Sequence, residues 1–205
     1  MENLLANAEY INSMDAYPVI LDVETKYTFR QFSDPAKLGV SVAVLYDYND
    51  SKYHVFTEDN LIDLFPHLER ASYVIGYNII GFDFPVLQAY YHGNVTDLPV
   101  FDMLDDIRQT TGRRFGLNDV ASATLGVKKS GHGLQATEWY KTGEIDKIIQ
   151  YCTDDVKITK QVFEYGGTYG CVYIGAPPQR TRISTHWDKY RNSKRQQEIH
   201  HTLPF

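Results

Sequence analysis

Along the chain, apolar residues come in short runs and in helical stripes, and the two kinds alternate. Pro18-Val19-Ile20-Leu21 runs straight into Asp22-Val23-Glu24-Thr25, the pattern of a buried central strand with a polar end. Lys37 to Tyr46 reads as a second, β-branched strand, Asp47 to Ser51 has turn composition, and Lys52 to Phe56 alternates as the return strand of a hairpin. From Glu58 to Arg70, Leu61, Ile62, Leu64, Phe65 and Leu68 recur at helical spacing, and Pro66 predicts a bend or early stop. Tyr73 to Asn78 is a short buried strand that leads through Gly81 into a helix from Asp83 to Tyr90, with Pro85 in its first turn. Pro99 to Met103 predicts a further strand, followed by a helix to about Thr110; another helix opens at Gly116 and ends near Gly126. Residues 128–133 are a glycine-rich loop. The strongest stripe, Ile145, Ile148, Ile149, Val156, Ile158, Val162 and Phe163, predicts a helix from Glu144 to Tyr165 that Gly166-Gly167 should stop. Cys171 to Ile174 and Thr181 to Thr185, around a Pro-Pro turn, predict a terminal hairpin, and the polar last dozen residues are expected to be poorly ordered. Strands and helices alternating after an opening hairpin imply an α/β layered domain with a mixed sheet. The expected division is a leader at 1–16, the main domain at 17–167, and a hairpin with a basic tail at 168–205.

Composition adds few constraints. A hydrophobic fraction of 43% and a charged fraction of 22% are ordinary for a globular chain. Two cysteines, Cys152 and Cys171, exclude a disulfide framework or a Cys-rich zinc site. The first residues lack the basic start and long apolar core of a signal peptide, and no apolar run approaches membrane-spanning length, so a reducing cytoplasmic setting is expected. Sixteen tyrosines and ten phenylalanines leave aromatic surface for stacking or packing. Net charge is −6, but residues 176–205 carry six Lys/Arg against two acids. An acidic body with a basic tail is compatible with a phosphate ligand, as it is with a merely solubilising tail. Lys128, Lys129 and His132 in the glycine-rich loop allow the same two readings.

The candidate chemistry is carboxylate chemistry. Asp22 and Glu24 stand two apart on one strand and therefore face the same way. Two like charges held so close repel unless a cation intervenes, and hard divalent cations take oxygen ligands. Asp83 sits where a strand crosses over to a helix, either as a helix cap or as a ligand. Asn78, five residues earlier, is placed to fix that loop. Tyr151 and Asp155 lie one turn apart on one helix face, where a phenol can hold a water beside a metal-binding carboxylate. Asp154 points away and is expected to be solvated or paired with lysine. Each of these groups also has a plain reading, as a solvated strand end, a helix cap or an amphipathic helix.

Taken in order, LDVET, NIIGFD and YCTDD resemble the three motifs of the DEDD superfamily of 3′–5′ exonucleases. Asp22 and Glu24 match the first, Asn78, Phe82 and Asp83 the second, and Tyr151 and Asp155 the third; Tyr at the third motif's first position marks the tyrosine branch. GYNIIGFDFPVL is most similar to the proofreading domain of family B DNA polymerases, and the chain also resembles stand-alone and helicase-associated relatives. The resemblance covers about residues 17–165. It implies a ribonuclease H-like fold, a five-stranded mixed sheet flanked by helices, with a small C-terminal hairpin added. It further implies two Mg²⁺ or Mn²⁺ ions held by Asp22, Glu24, Asp83 and Asp155, with Asp22 bridging both ions and Asp83 acting largely through ordered water. Tyr151 would orient the attacking water, and Thr25, Asn78 and Phe82 would lie near the terminal nucleotide. The implied reaction is metal-dependent removal of nucleoside 5′-monophosphates from the 3′ end of single-stranded DNA, as in replication and repair. Alternatives within the resemblance are an RNA-trimming exoribonuclease and a catalytically silent nucleic-acid-binding module. A helicase or polymerase partner is compatible with the basic tail.

Overall fold

The computed structural model describes residues 16–127, 134–176 and 179–191. The expected leader (but for residue 16), the 128–133 loop with its lysines and His132, the Pro-Pro turn and the polar end of the chain lie outside them. Strands β1 (Val19–Thr25), β2 (Val40–Asp47), β3 (Lys52–Thr57), β4 (Val74–Gly76) and β5 (Val100–Asp102) make one sheet in the order β3-β2-β1-β4-β5. β1 is antiparallel to β2 and parallel to β4, and β4 is parallel to β5, so the sheet is mixed with β1 at its centre. The helices are α1 (Phe65–Arg70), α2 (Asp83–Leu87), α3 (Met103–Thr111), α4 (Leu117–Leu125), α5 (Leu134–Lys141), α6 (Ile145–Tyr169) and α7 (Asp188–Arg191); β6 (Cys171–Ile174) and β7 (Thr181–Ser184) pair antiparallel. Among the described residues no helix is long and apolar enough to cross a membrane.

The period-two alternation of β1 divides the core. Val19, Leu21 and Val23 enter one cluster with Phe65, Leu68, Phe84 and Leu87, under α1 and α2. Ile20 enters the other, with Ile107, Val120, Ile148, Cys152 and Val156, under α3, α4 and α6. Asp22 and Glu24 continue the Ile20 face, and so meet the long helix α6. Near its end β1 changes register, pairing Glu24 with Val42 but Thr25 with Val40. Bulges of this kind re-aim side chains, and this one falls beside the acids.

Several boundaries differ from expectation. Glu58–Leu64 is a 3-10 helix, and the α-helix begins only at Phe65, with Pro66 in its first turn where a missing N–H costs nothing. The helix that opens at Asp83 ends at Leu87, short of Tyr90. α5 has no sequence forecast, because its described side chains bury little more than Ala136 and Thr137 and leave no strong stripe. Gly166-Gly167 does not stop α6, which continues to Tyr169 and ends at Gly170 in the left-handed region. Gly166 is needed for another purpose: a Cβ there would collide with the buried Trp187 ring. Trp187, three residues beyond the end of β7, thus docks against the helix, and its Nε1 donates to Asp106 Oδ2 at 2.7 Å.

Candidate metal centre

Sheet and helix bring three carboxylates together. Ligand oxygens of Asp22, Glu24 and Asp155 all lie within 4.8 Å of one another. Asp22 and Glu24 reach this point from one face of β1, and Asp155 from the buried face of α6 packed against it. They open into a cleft of about 540 Å³ whose lining also includes Asp83, Thr25, Asn78, Phe82, Phe29, Arg30, Tyr77 and Thr137.

Asp83 borders the same cleft but stands outside the three-acid group. It is buried, and its Oδ1 accepts the backbone N–H of Val23 at 2.9 Å, which ties the start of α2 to β1. Burial, then the charge of Asp22, pushes its carboxyl well above the ordinary range, against the pull of the Val23 and Asp83 backbone N–H groups.

Cys152 is a neighbour that the motifs did not single out. It is one turn before Asp155 on α6, buried, with Sγ 3.3 Å from the Asp22 carbonyl oxygen and 3.4 Å from Asp22 Oδ2. Burial, then the charges of Asp22 and Glu24, raise its thiol well above the ordinary range, so it remains a proton donor to Asp22. Tyr151 is buried on the same helix with its ring edge-on to Trp139 at 5.9 Å, and it is not part of the cleft lining.

The residues expected near a terminal nucleotide all line the cleft, with their polar atoms already engaged. Thr25 Oγ1 donates to the Tyr27 carbonyl at 2.8 Å. Asn78 adopts a positive φ of 69°, and its Oδ1 accepts from Arg114 Nη2 at 2.7 Å. Gly81 makes room for that amide, since a Cβ at 81 would come within 2.7 Å of Asn78 Oδ1. Phe82 meets the exposed Phe29 edge-on at 5.9 Å. Beneath this loop, Asp102 takes four backbone N–H groups: Asn78 and Leu104 at 2.9 Å, Ile80 at 3.1 Å and Asp105 at 3.4 Å. It caps α3 and pins the 78–81 loop at once. Asp154 turns outward and pairs with Lys157 at 3.0 Å, as expected. Sequence reasoning missed Asp102, Arg114 and Thr137, none of which belongs to a motif; Cys152 was visible only as the residue inside YCTDD.

The fold is shared with known nucleic-acid enzymes. The family B DNA polymerase from the hyperthermophilic archaeon Pyrobaculum calidifontis superposes with a TM-score of 0.58 at 20% identity, over 75% of this chain and 25% of the polymerase. Trypanosoma brucei RNase D superposes with a TM-score of 0.54 at 17% identity, over 80% of this chain and 61% of that one. The same RNase D in complex with RNA U12 gives 0.53 at 17% identity, over 80% and 59%. The chain therefore spans less than two thirds of each of these proteins. No curated protein matches it significantly. A sequence model of the RNase_H superfamily matches residues 19–166, from the first residue of β1 into the last turns of α6 and so across every carboxylate of the cleft. The chain belongs to the RNase H superfamily.

Proposed function

We propose that this protein is a metal-dependent 3′–5′ exonuclease acting on single-stranded DNA and releasing nucleoside 5′-monophosphates. The observation that carries the reading is the convergence of Asp22, Glu24 and Asp155 within 4.8 Å at a cleft that Asp83 also borders. The donor set is all oxygen and all anionic, which suits Mg²⁺ or Mn²⁺ and not a soft metal. Two such ions, when bound, supply a water ionised near neutral pH and stabilise the departing 3′ oxygen. Asp22, Glu24 and Asp155 would hold them, with Asp83 on the second. Cys152 orients Asp22 from below. The exposed Phe29 and the neighbouring Phe82 offer stacking faces for a terminal base, which favours an unpaired and sequence-tolerant substrate. We assign Tyr151, one turn before Asp155 on α6, to orienting the attacking water. We also propose a cytoplasmic enzyme of DNA replication or repair, with a polymerase or helicase partner.

An RNA strand is the second reading, favoured by the superposition on an RNase D solved with RNA. The deciding experiment incubates the protein with 5′-labelled DNA and RNA of one sequence, with Mg²⁺, Mn²⁺ or chelator, beside Asp22→Ala. A metal-dependent ladder shortening from the 3′ end, absent in the variant, is expected on DNA. A ladder on RNA alone selects the second reading, and none on either strand leaves a binding module.

A further inference from the structure

A second group of metal-type side chains lies at the other end of the sheet. Asp47 pairs with Val19 at the start of β1, whereas Glu24 pairs with Val42. Five residues of strand, about 17 Å, separate the two ends. Here ligand atoms of Asp47, His54 and His67 all lie within 4.8 Å of one another. We propose that these three residues form a binding site for a divalent transition metal of the zinc class, separate from the carboxylate cleft.

Three elements supply the ligands. Asp47 ends β2, His54 lies on β3 two residues beyond Lys52, the cross-strand partner of Asp47, and His67 comes from α1 packed on that face of the sheet. The imidazole rings of His54 and His67 stand 4.7 Å apart, and Phe56 meets His67 edge-on at 5.8 Å. His67 Nδ1 is 3.3 Å from Asp47 Oδ2, long for a charged hydrogen bond. It equals the edge, about 3.3 Å, of a tetrahedron with metal–ligand bonds of about 2.0–2.1 Å. Asp50 Oδ2 lies 3.0 Å from His54 Nε2, so Nδ1 is the His54 nitrogen assigned to the metal. A carboxylate on the far nitrogen of a ligand histidine is the usual way its ring is oriented and made more basic. Two imidazoles and one carboxylate favour zinc over Mg²⁺ and leave a fourth position for water or an incoming group. The cation would join the hairpin to α1 and hold the edge strand β3 in place.

The test is calorimetric titration of Zn²⁺ into the full chain in excess Mg²⁺, for the native sequence, for His54→Gln with His67→Gln, and for Asp50→Asn. The expected result is a zinc equivalent that the double variant loses and that Asp50→Asn binds about 10–100-fold more weakly. Release of mononucleotides in Mg²⁺ should be unchanged in both variants. An identical isotherm in a folded double variant overturns the proposal. If the double variant fails to fold, unchanged zinc affinity in Asp50→Asn overturns it instead.

Discussion

Cys152 and Asp83 show how single side chains condition the acids around them. The Cys152 thiol donates to Asp22 from α6, so removing it takes one orienting donor from that carboxylate. Cys152→Ala should weaken Mg²⁺ binding by about 10–100-fold, as loss of a ligand-orienting partner does, while Cys152→Ser keeps a donor and most of the affinity. Calorimetric Mg²⁺ titration reads this, and equal affinities in all three proteins would show the thiol to be packing only. Asp83 sets the pH response of the metal-free protein. Its folded carboxyl titrates well above the ordinary 3.8, so its contribution to stability is complete below that value and is lost as pH rises through the folded pKa. Asp83→Asn keeps the oxygen that accepts from Val23 and cannot ionise. Its Tm without metal should therefore exceed that of the native protein by a margin that grows from pH 4 toward 8. A margin constant with pH would mean that Asp83 is not held protonated.

At the scale of elements, two contacts decide which segments stay in place. Asp102→Ala strips the acceptor from the Asn78 and Ile80 N–H groups as well as from α3, and should cost about 1–3 kcal/mol in urea unfolding. Amide exchange at Ile80 should rise with it; exchange unchanged at Ile80 would mean the 78–81 loop is held by other contacts. Gly166→Ala gains up to about 1 kcal/mol of helix propensity but forces the buried Trp187 aside, and overpacking of that kind costs about 1–3 kcal/mol. The net effect is destabilising, while Gly167→Ala, whose Cβ would meet backbone at 3.4 Å, should be neutral or better. The reverse order in urea midpoints would disprove the Trp187 contact. These same contacts mark the limit of what could be read in advance. The face shared by Asp22 and Glu24 follows from strand parity, and that of Tyr151 and Asp155 from helix pitch, because both are local periodicities. The register change at Thr25, the reach of Asp102 under the 78–81 loop and the docking of Trp187 at Gly166 join residues distant in sequence. A glycine pair that reads as a stop signal is there a seat for a distant indole.

On the proposed function, the molecule as a whole links metal binding to folding, since the clustered acids of the cleft repel one another and a cation would relieve that repulsion. Mg²⁺ at 100 times its dissociation constant should add about 2.7 kcal/mol to unfolding. The corresponding rise in Tm should vanish in Asp155→Ala; a rise that persists would place the binding elsewhere. The same long-range closure has a consequence in time. Chains emerge from the ribosome amino end first, and early segments fold first. Asp22 is synthesised 130 residues before Cys152, and Asp155 follows one helical turn later. A nascent or prematurely terminated chain thus holds half of its acids on a finished strand with nothing to complete them. On the proposed activity, the protein becomes able to cut only once the chain has been made past Asp155, so no shorter piece of it can trim a free 3′ end.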